Sequence, residues 1–541
     1  MDRHRAALTA AALLAIPLAF LAIWFAWPLV AIVDQGIRPD GSLDLGPLAD
    51  VVGDRHLRSV VGFTIGQAVL STLLTVALGL PCAYVLSRFA FRGRQLLNAL
   101  VLIPFVLPTV VVGLAFARGE GSLAALVVAH AFFNLAVVVR VVGTAWSGVD
   151  PDLEDAAEGL GAHGWRRFPA VLWPAGRSAI AGAATLVFLF SLTSFGAALL
   201  LAPPGAATIE VEIWRRTTQF LDLPVAAALA LVQLAVVAGL LVLDAAIASR
   251  AALQRTLGAT TRHARTTGER TLQAVVVGFV LLFTVGPILR VVARSLGGPD
   301  GLTLDRYLDL GSTRRGGIFD VVPSHAIATS LRTAVVAAAI ALVVGLLAAF
   351  ALARSRRSSA WPLLGMPLGA SAVTLGLGYV LAFRDPPLDL RGSPLIVPLA
   401  QAVVAIPFVI RIAAPAITAA QRSLGDQAAD LGASPWQATR DVVLRVTAPA
   451  LATAAAFAFS ISLGEFGATS FLARADAPTM PVAIVRLLSQ PGAASVGQAY
   501  AMATLLMLVT VGAVATLGAA GDRLVERRQR SGPIPQVRTR P

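Results

Sequence analysis

The chain has 541 residues, 57% of them apolar and 13% charged, with a formal charge of +13 and no lysine. A composition this apolar, with a mean hydropathy of +0.77, excludes a soluble enzyme of that size and puts the chain in a bilayer. The arginines sit between apolar runs rather than along one face, which argues against nucleic acid as a partner and for basic cytoplasmic loops.

A hydrocarbon core about 30 Å thick takes roughly 20 apolar residues per helical crossing. Runs of that kind begin near residues 8, 60, 96, 122, 177, 224, 271, 326, 360, 394, 448 and 498. They predict an all-α, polytopic membrane protein with about twelve transmembrane helices. The first run, Leu8 to Val33, follows Arg3 and Arg5. It exceeds the ~7–15 residues of a secretory signal core and ends without a small-x-small site, so it reads as a retained span. Cys82, the single cysteine, lies inside an apolar run and reads as a buried small hydrophobe, with no disulfide or zinc site to build.

Arginine-rich connections alternate with others along the chain. The basic set comprises the N-terminus, Arg88-Arg92-Arg94, Arg166-Arg167-Arg177, Arg250 to Arg270, Arg354-Arg356-Arg357, Arg422-Arg440-Arg445 and the tail from Arg523. Between them, Asp34 to Asp54 is rich in aspartate and Asp300 to Asp320 mixes both signs. Basic loops on the inside then put both termini in the cytoplasm, a parity that twelve crossings satisfy.

Sliding the chain by 271 residues superposes Arg140 on Arg411, Asp155 on Asp426, Gly161 on Gly432, Ala162 on Ala433, Trp165 on Trp436 and Leu192 on Leu463. It also lays Phe195-Gly196-Ala197 on Phe466-Gly467-Ala468. A repeat of this length predicts two homologous halves of six crossings each: residues 1–248 and 271–522, joined by a polar cytoplasmic linker at 249–270 and followed by a basic cytoplasmic tail at 523–541.

Each half carries a long amphipathic cytoplasmic loop after its fourth crossing, at 150–177 and 422–449. The segments Asp155 to Pro174 and Asp426 to Pro449 each read as a short helix, a glycine break and a second helix. An acid at the start suits the positive end of a helix, and the glycine permits a left-handed cap. Trp165 and Trp436 follow the break and are placed to anchor in a partner. One such loop leaves room for the alternative of an amphipathic connection lying on the membrane; two at matching register favour docking strongly.

These loops resemble the EAA loop of ATP-binding cassette (ABC) importer permeases of the MetI-like type: acid-Ala-Ala, three residues, Gly, then an apolar-x-Leu-Pro ending. The first copy has Asp155 for Glu and ends Val171-Leu172-Trp173-Pro174. The second departs, with Gln427 at the first Ala position and Pro449 one helical turn late. The resemblance implies that Asp155, Ala156, Ala157, Gly161 and Trp165, with Asp426, Ala428, Gly432 and Trp436, dock two copies of a separate ABC ATPase subunit. It also implies a periplasmic or lipid-anchored solute-binding protein and a place in the bacterial inner membrane. A phosphate-binding Walker A loop needs a lysine, so ATP and magnesium belong to the partner ATPase. The chain itself is expected to bind no cofactor or metal and to carry no catalytic residues.

Solute contacts are expected where polar groups interrupt the spans, because an ionisable group in a membrane is costly and faces a cavity. Glu465, placed within the eleventh span, leads the candidates with Phe466, its repeat mate Ser194, and Phe195. The alternative for Glu465 is a satisfied acid at a helix break marked by Gly464 and Gly467. His130 and Asn134, one turn apart on the fourth span, lie on one side of it, which suits the same cavity and suits helix packing at least as well. The segments Pro203 to Pro224 and Ala473 to Gly492 are too polar to span and read as outer scoops; Glu210, Glu212, Arg215 and Arg216 are candidates to meet the binding protein, with a plain solvated loop the more common meaning of such charges.

Fused two-half permeases of this kind resemble the branch serving ferric iron and thiamine. The HAFFN run followed by Arg140, the segment Thr208 to Ile213 and the LGEFGA stretch look most like thiamine permeases, with ferric iron the rival and sulfate or molybdate further alternatives. From another class, a secondary transporter driven by an ion gradient also has twelve crossings in two halves, but it would not need paired EAA loops.

Overall fold

Apolar sequence in a bilayer must satisfy its own backbone N–H and C=O groups, and a helix does so within each run. The computed structural model describes residues 3–162, 168–251, 261–264, 266–298, 301–312, 322–354, 360–384, 389–390 and 392–530, and is helical almost throughout. Among the described residues ten helices are long and apolar enough to cross a membrane: Ala11–Ile37, Arg55–Arg88, Leu123–Ser147, Phe168–Leu192, Leu223–Ala246, Thr267–Leu296, His325–Arg354, Ile396–Asp430, Pro435–Gly464 and Ala493–Thr516. Two further pairs, Arg94–Val106 with Thr109–Phe116 and Leu363–Gly369 with Ala372–Ala382, are bent by 101° and 105°. With each pair as one crossing the total is twelve, and the crossings are numbered below in chain order.

The bends in the third and ninth crossings are local proline chemistry. Leu107 is extended at ψ 140°, the conformation that the following Pro108 enforces. In the second half Pro367 sits in a 3-10 turn, and Ser371 starts a new helix by accepting a hydrogen bond from Thr374 N at 2.9 Å. The second crossing begins at a similar cap, Asp54, which accepts from Leu57 N at 2.9 Å. That bond holds the Asp54 carboxyl below the usual carboxylate range.

Two starts differ from the reading of apolar runs. The fifth and eleventh crossings begin at Phe168 and Pro435, well before residues 177 and 448, because the expected second helix of each loop is continuous with the span after it. The joins are π-helical, at Phe168–Leu172 and Ala438–Val443. A run of polar and charged residues hides this continuity from a hydropathy reading.

The halves are interlocked through their first crossings. The first crossing packs on the eighth and ninth of the other half, and the seventh packs on the third and second. Tyr379 Oη donates to the Trp24 carbonyl at 2.9 Å on one side. On the other, Arg290 donates to the carbonyls of Ala115 and Ala117 at 3.2 and 2.6 Å.

The repeat recurs as matched contacts. Ile209 N donates to Thr64 Oγ1 at 2.9 Å, and its mate Met480 N donates to Ser330 Oγ at 2.7 Å. A Cβ added at Gly79 would lie 2.6 Å from Val138 Cγ1, and one at Gly345 would lie 2.6 Å from Val409 Cγ1. Small residues at these points let the second and fourth crossings, and the eighth and tenth, approach closely where lipid supplies no hydrophobic drive.

Candidate functional site

Two regions hold the residues singled out in the sequence: a cavity at the seam between the halves, and the paired loops after the fourth and tenth crossings. The cavity has a volume of about 270 Å³. Its wall includes the bends at Pro108 and Ala372, the fourth and tenth crossings, and the breaks that follow the fifth and eleventh. All six polar and aromatic residues singled out in the spans line it: His130, Asn134, Ser194, Phe195, Glu465 and Phe466.

Phe195 and Phe466 stack with ring centroids 5.0 Å apart and planes at 18°. Each stands between the end of a long helix and a short one, Gly196–Leu201 or Thr469–Leu472. Further phenyl rings from both halves complete the wall, with Phe105 5.3 Å from Phe133 and 5.9 Å from Phe190, and Phe408 and Phe457 facing them from the second half. Reading polar interruptions left these five rings out, because a phenylalanine in an apolar run carries no signal until the fold shows which way it points.

Glu465 sits just past Gly464, the last residue of the eleventh crossing, rather than within the span. Its carboxylate accepts from Ala468 N at 2.8 Å, from Thr469 N at 3.0 Å and from the Thr469 hydroxyl. It caps the short helix while lining the cavity. His130 Nδ1 lies 3.1 Å from Ser71 Oγ, and Asn134 Nδ2 donates to Ser191 Oγ at 3.4 Å. His130 Nε2, Asn134 Oδ1 and Ser460 Oγ are buried without a partner, and all three residues line the cavity.

The scoop segments are more deeply set than expected. Glu210 and Glu212 are 0% and 2% exposed. Glu210 accepts from Gln233 and from Ser371 Oγ, the latter at 3.0 Å, and Glu212 pairs with Arg216 at 2.9 Å. Neither acid is available to a partner, because the helix Ile209–Arg215 packs into the bundle against the sixth and ninth crossings.

The loops show a matched turn. The short helices Pro151–Gly159 and Asp426–Asp430 end at Gly161 and Gly432, with φ of 89° and 86°. Ala162 N donates to Ala157 O and Gly161 N to Glu158 O, at 2.9 and 3.0 Å; Ala433 N donates to Ala428 O and Gly432 N to Ala429 O, at 3.0 and 2.9 Å. This is the Schellman arrangement, which needs a left-handed residue and so favours glycine. It turns out two leucines that the sequence reading passed over, Leu160 and Leu431, which are 91% and 89% exposed. Their signal lay in the repeat, since the same slide of 271 residues superposes them.

Of the docking candidates, Asp155 and Ala156 are exposed, Ala157 and Ala428 half-buried, and Trp436 66% exposed. The chain at Asp426 is helical, and Trp165 lies outside the described residues. Asp155 is not at the start of its helix. Asp150 caps that start, accepting from Asp152 N at 3.0 Å, and Asp152 and Glu154 occupy the first turn.

The first loop is also tied down. Arg88, the last residue of the second crossing, is 2.5 Å from Glu154 and donates to the carbonyls of Trp146 and Val149 at 3.0 and 3.2 Å. Both side chains of the ion pair are buried. Next to it the far end of the connection between the halves is pinned, with Arg262 N donating to Arg88 O at 3.0 Å and Ala90 N to Arg262 O at 2.8 Å. Arg262 also forms an ion pair with Glu269 at 2.6 Å. In the second half Gly425 replaces Glu154, and Arg354 donates to the carbonyl of Phe350 at 3.3 Å.

Against known proteins, the family described as binding-protein-dependent transport system inner membrane component matches residues 75–252. The thiamine transport system permease protein ThiP of Brucella abortus (strain 2308) is 30% identical over 467 residues, covering 80% of this chain and 82% of that one. ThiP of Escherichia coli (strain K12) is 27% identical over 459 residues, covering 79% and 83%. A probable molybdenum ABC transporter permease protein of Haloferax volcanii is 35% identical over 237 residues, 41% of this chain and 85% of its own length.

Proposed function

The chain belongs to the family of binding-protein-dependent transport system inner membrane components, the MetI-like permeases of ABC importers, and from that premise we propose that it passes thiamine, or a closely similar organic cation, across the membrane. Membership removes the ion-gradient alternative. The observation that carries the choice of solute is the composition of the cavity wall. Phenyl rings dominate it, and among the described residues no arginine lines it and its one carboxylate, Glu465, is occupied by the backbone N–H groups of Ala468 and Thr469. Aromatic faces attract an organic cation.

Ferric iron would require several oxygen or nitrogen ligands converging on one point. Among the described residues no three His, Cys, Asp or Glu side chains do so. Molybdate and sulfate, as dianions, would be expected to meet cationic or backbone N–H donors. The relatives named for thiamine also cover most of the chain, whereas the molybdenum relative covers 41% of it.

In this reading two ATPase subunits grip the loops at 150–177 and 422–449, with Leu160, Leu431 and Trp436 entering the partner and the glycine turns holding them outward. The linker at 249–270, both termini and the tail at 523–541 lie on the ATPase side. A solute-binding protein delivers thiamine on the opposite face, and the Phe195–Phe466 pair closes the path beneath the cavity until the motor moves the fifth and eleventh crossings.

The test is uptake into proteoliposomes that contain this chain with its ATPase and binding protein, supplied in turn with labelled thiamine, ferric ion, molybdate and sulfate. ATP-dependent accumulation of thiamine alone is the expected result. Accumulation of an oxyanion or of iron in place of thiamine would overturn the assignment.

A further inference from the structure

The imidazole and amide of the fourth crossing remain unaccounted for as packing. His130 and Asn134 are 3% and 1% exposed, yet His130 Nε2 and Asn134 Oδ1 have no partner and both residues line the cavity. A buried polar atom left unpaired costs about 1–3 kcal/mol. Two of them on one wall are a liability for a helix that only packs, and an asset for one that binds.

Their neighbours bear on what they offer. Ser71 Oγ lies 3.1 Å from His130 Nδ1 and makes no other side-chain hydrogen bond among the described residues. That contact suits either tautomer; we assign the one in which the Ser71 hydroxyl donates to Nδ1, so that the ring proton sits on Nε2 and is offered to the cavity. Ser191 Oγ takes the Asn134 amide N–H at 3.4 Å, which leaves Oδ1 as an acceptor. The wall therefore presents an N–H donor and, one helical turn away on the same face, a carbonyl acceptor.

We propose that His130 and Asn134 form a subsite that reads the edge of an aminated heteroaromatic ring, in which a ring nitrogen stands beside an exocyclic amine. The ring nitrogen accepts from His130 Nε2 and the amine donates to Asn134 Oδ1. Thiamine carries such an edge on its 4-aminopyrimidine ring, so the inference rests on the proposed solute and assigns its orientation. The cationic part of the molecule then faces the phenyl rings. The subsite is one-sided, because the repeat puts Gln401 and Ala405 at the matching positions of the second half. Neither of these lines the cavity, where the tenth crossing supplies Val404 and Phe408. One solute orientation is thereby favoured over its mirror across the two-fold.

The experiment bypasses selection by the binding protein. Labelled thiamine and its 4-oxo analogue, whose edge has donor and acceptor exchanged, are titrated against the complex of this chain with its ATPase in nanodiscs. The wild-type complex should bind thiamine at least about tenfold more tightly, the discrimination a matched hydrogen-bonded edge supplies over a mismatched one. His130→Phe and Asn134→Leu should erase the preference without lowering the melting temperature. Equal binding of the two solutes by the wild type, or a preference that survives in both variants, overturns the subsite. Loss of binding for both solutes together with a lowered melting temperature also overturns it, in favour of a packing role. Failure of the proposed function looks different: the complete importer would then accumulate no thiamine at all.

Discussion

The rings of Phe195 and Phe466, equivalent residues of the two halves, stack 5.0 Å apart across the seam of the molecule. Each is held by a helix break at the end of the fifth or eleventh crossing, so a shift of either crossing separates them. A stacked aromatic pair contributes about 0.5–1.5 kcal/mol beyond its buried area. That is weak enough for a rearrangement of either crossing to break.

Phe195→Ala and Phe466→Ala should therefore open a leak. In proteoliposomes without nucleotide, passive thiamine flux should rise severalfold in either variant, and the thiamine imported per ATP hydrolysed should fall. Flux that stays at the wild-type background in both variants would place the barrier elsewhere in the path.

Glu465→Gln separates a path role from a capping role. The carboxylate accepts from two backbone N–H groups and the Thr469 hydroxyl, and a neutral amide has only one oxygen to offer them. Leaving a buried donor unpaired costs about 1–3 kcal/mol, so the variant should melt at a lower temperature and lose uptake in parallel, with the ATPase still bound. A variant that keeps its melting temperature and loses uptake would mean that the charge itself meets the solute.

Leu160 and Leu431 stand out at 91% and 89% exposure on matched glycine turns. Burying a leucine is worth about 1.5–3 kcal/mol, which corresponds to roughly ten- to a hundredfold in affinity. Leu160→Asp and Leu431→Asp should each weaken ATPase binding by that order, read by co-purification or surface binding. Gly161→Val and Gly432→Val, which force a β-branched residue to φ near 89° and 86°, should leave the protein in the membrane but uncouple hydrolysis from uptake. Full uptake by the double glycine variant would remove the loops from the coupling path.

The architecture was legible because its signals are periodic and local: apolar run length marked the crossings, and a constant slide of 271 residues marked the matched turns at Gly161 and Gly432. The six candidates that line the cavity were legible because polar groups interrupt the spans: Ser194, Phe195, Glu465 and Phe466 stand beside glycine breaks, and His130 and Asn134 lie one turn apart in an apolar helix. What stayed hidden depends on geometry between distant residues. The bends at Pro108 and Ser371 leave hydropathy unchanged. The burial of Glu210 and Glu212 follows from packing of the helix Ile209–Arg215, and a charged, amphipathic segment reads equally well as a surface loop. Nothing in the sequence linked Arg88, the end of one apolar run, to Glu154, 66 positions on.

That pair makes the halves unequal. Arg88 and Glu154 are 2.5 Å apart and buried, and the guanidinium also gathers the carbonyls at the end of the fourth crossing. The first loop is thus fastened to the second crossing, whereas in the second half Gly425 stands in place of the acid. Removing one partner of a buried pair leaves an uncompensated charge and costs about 3–5 kcal/mol, while replacing both with apolar groups is often neutral. Arg88→Ala should therefore lower the melting temperature sharply, and Arg88→Met with Glu154→Leu should recover most of it. Arg354→Met, where no acid faces the guanidinium from position 425, should be mild in both respects. If the pair also passes motion from the docked ATPase to the second crossing, the double variant will fold and bind the ATPase yet import less thiamine per ATP than the wild type. Recovery of coupling along with stability would reduce the pair to a structural tie.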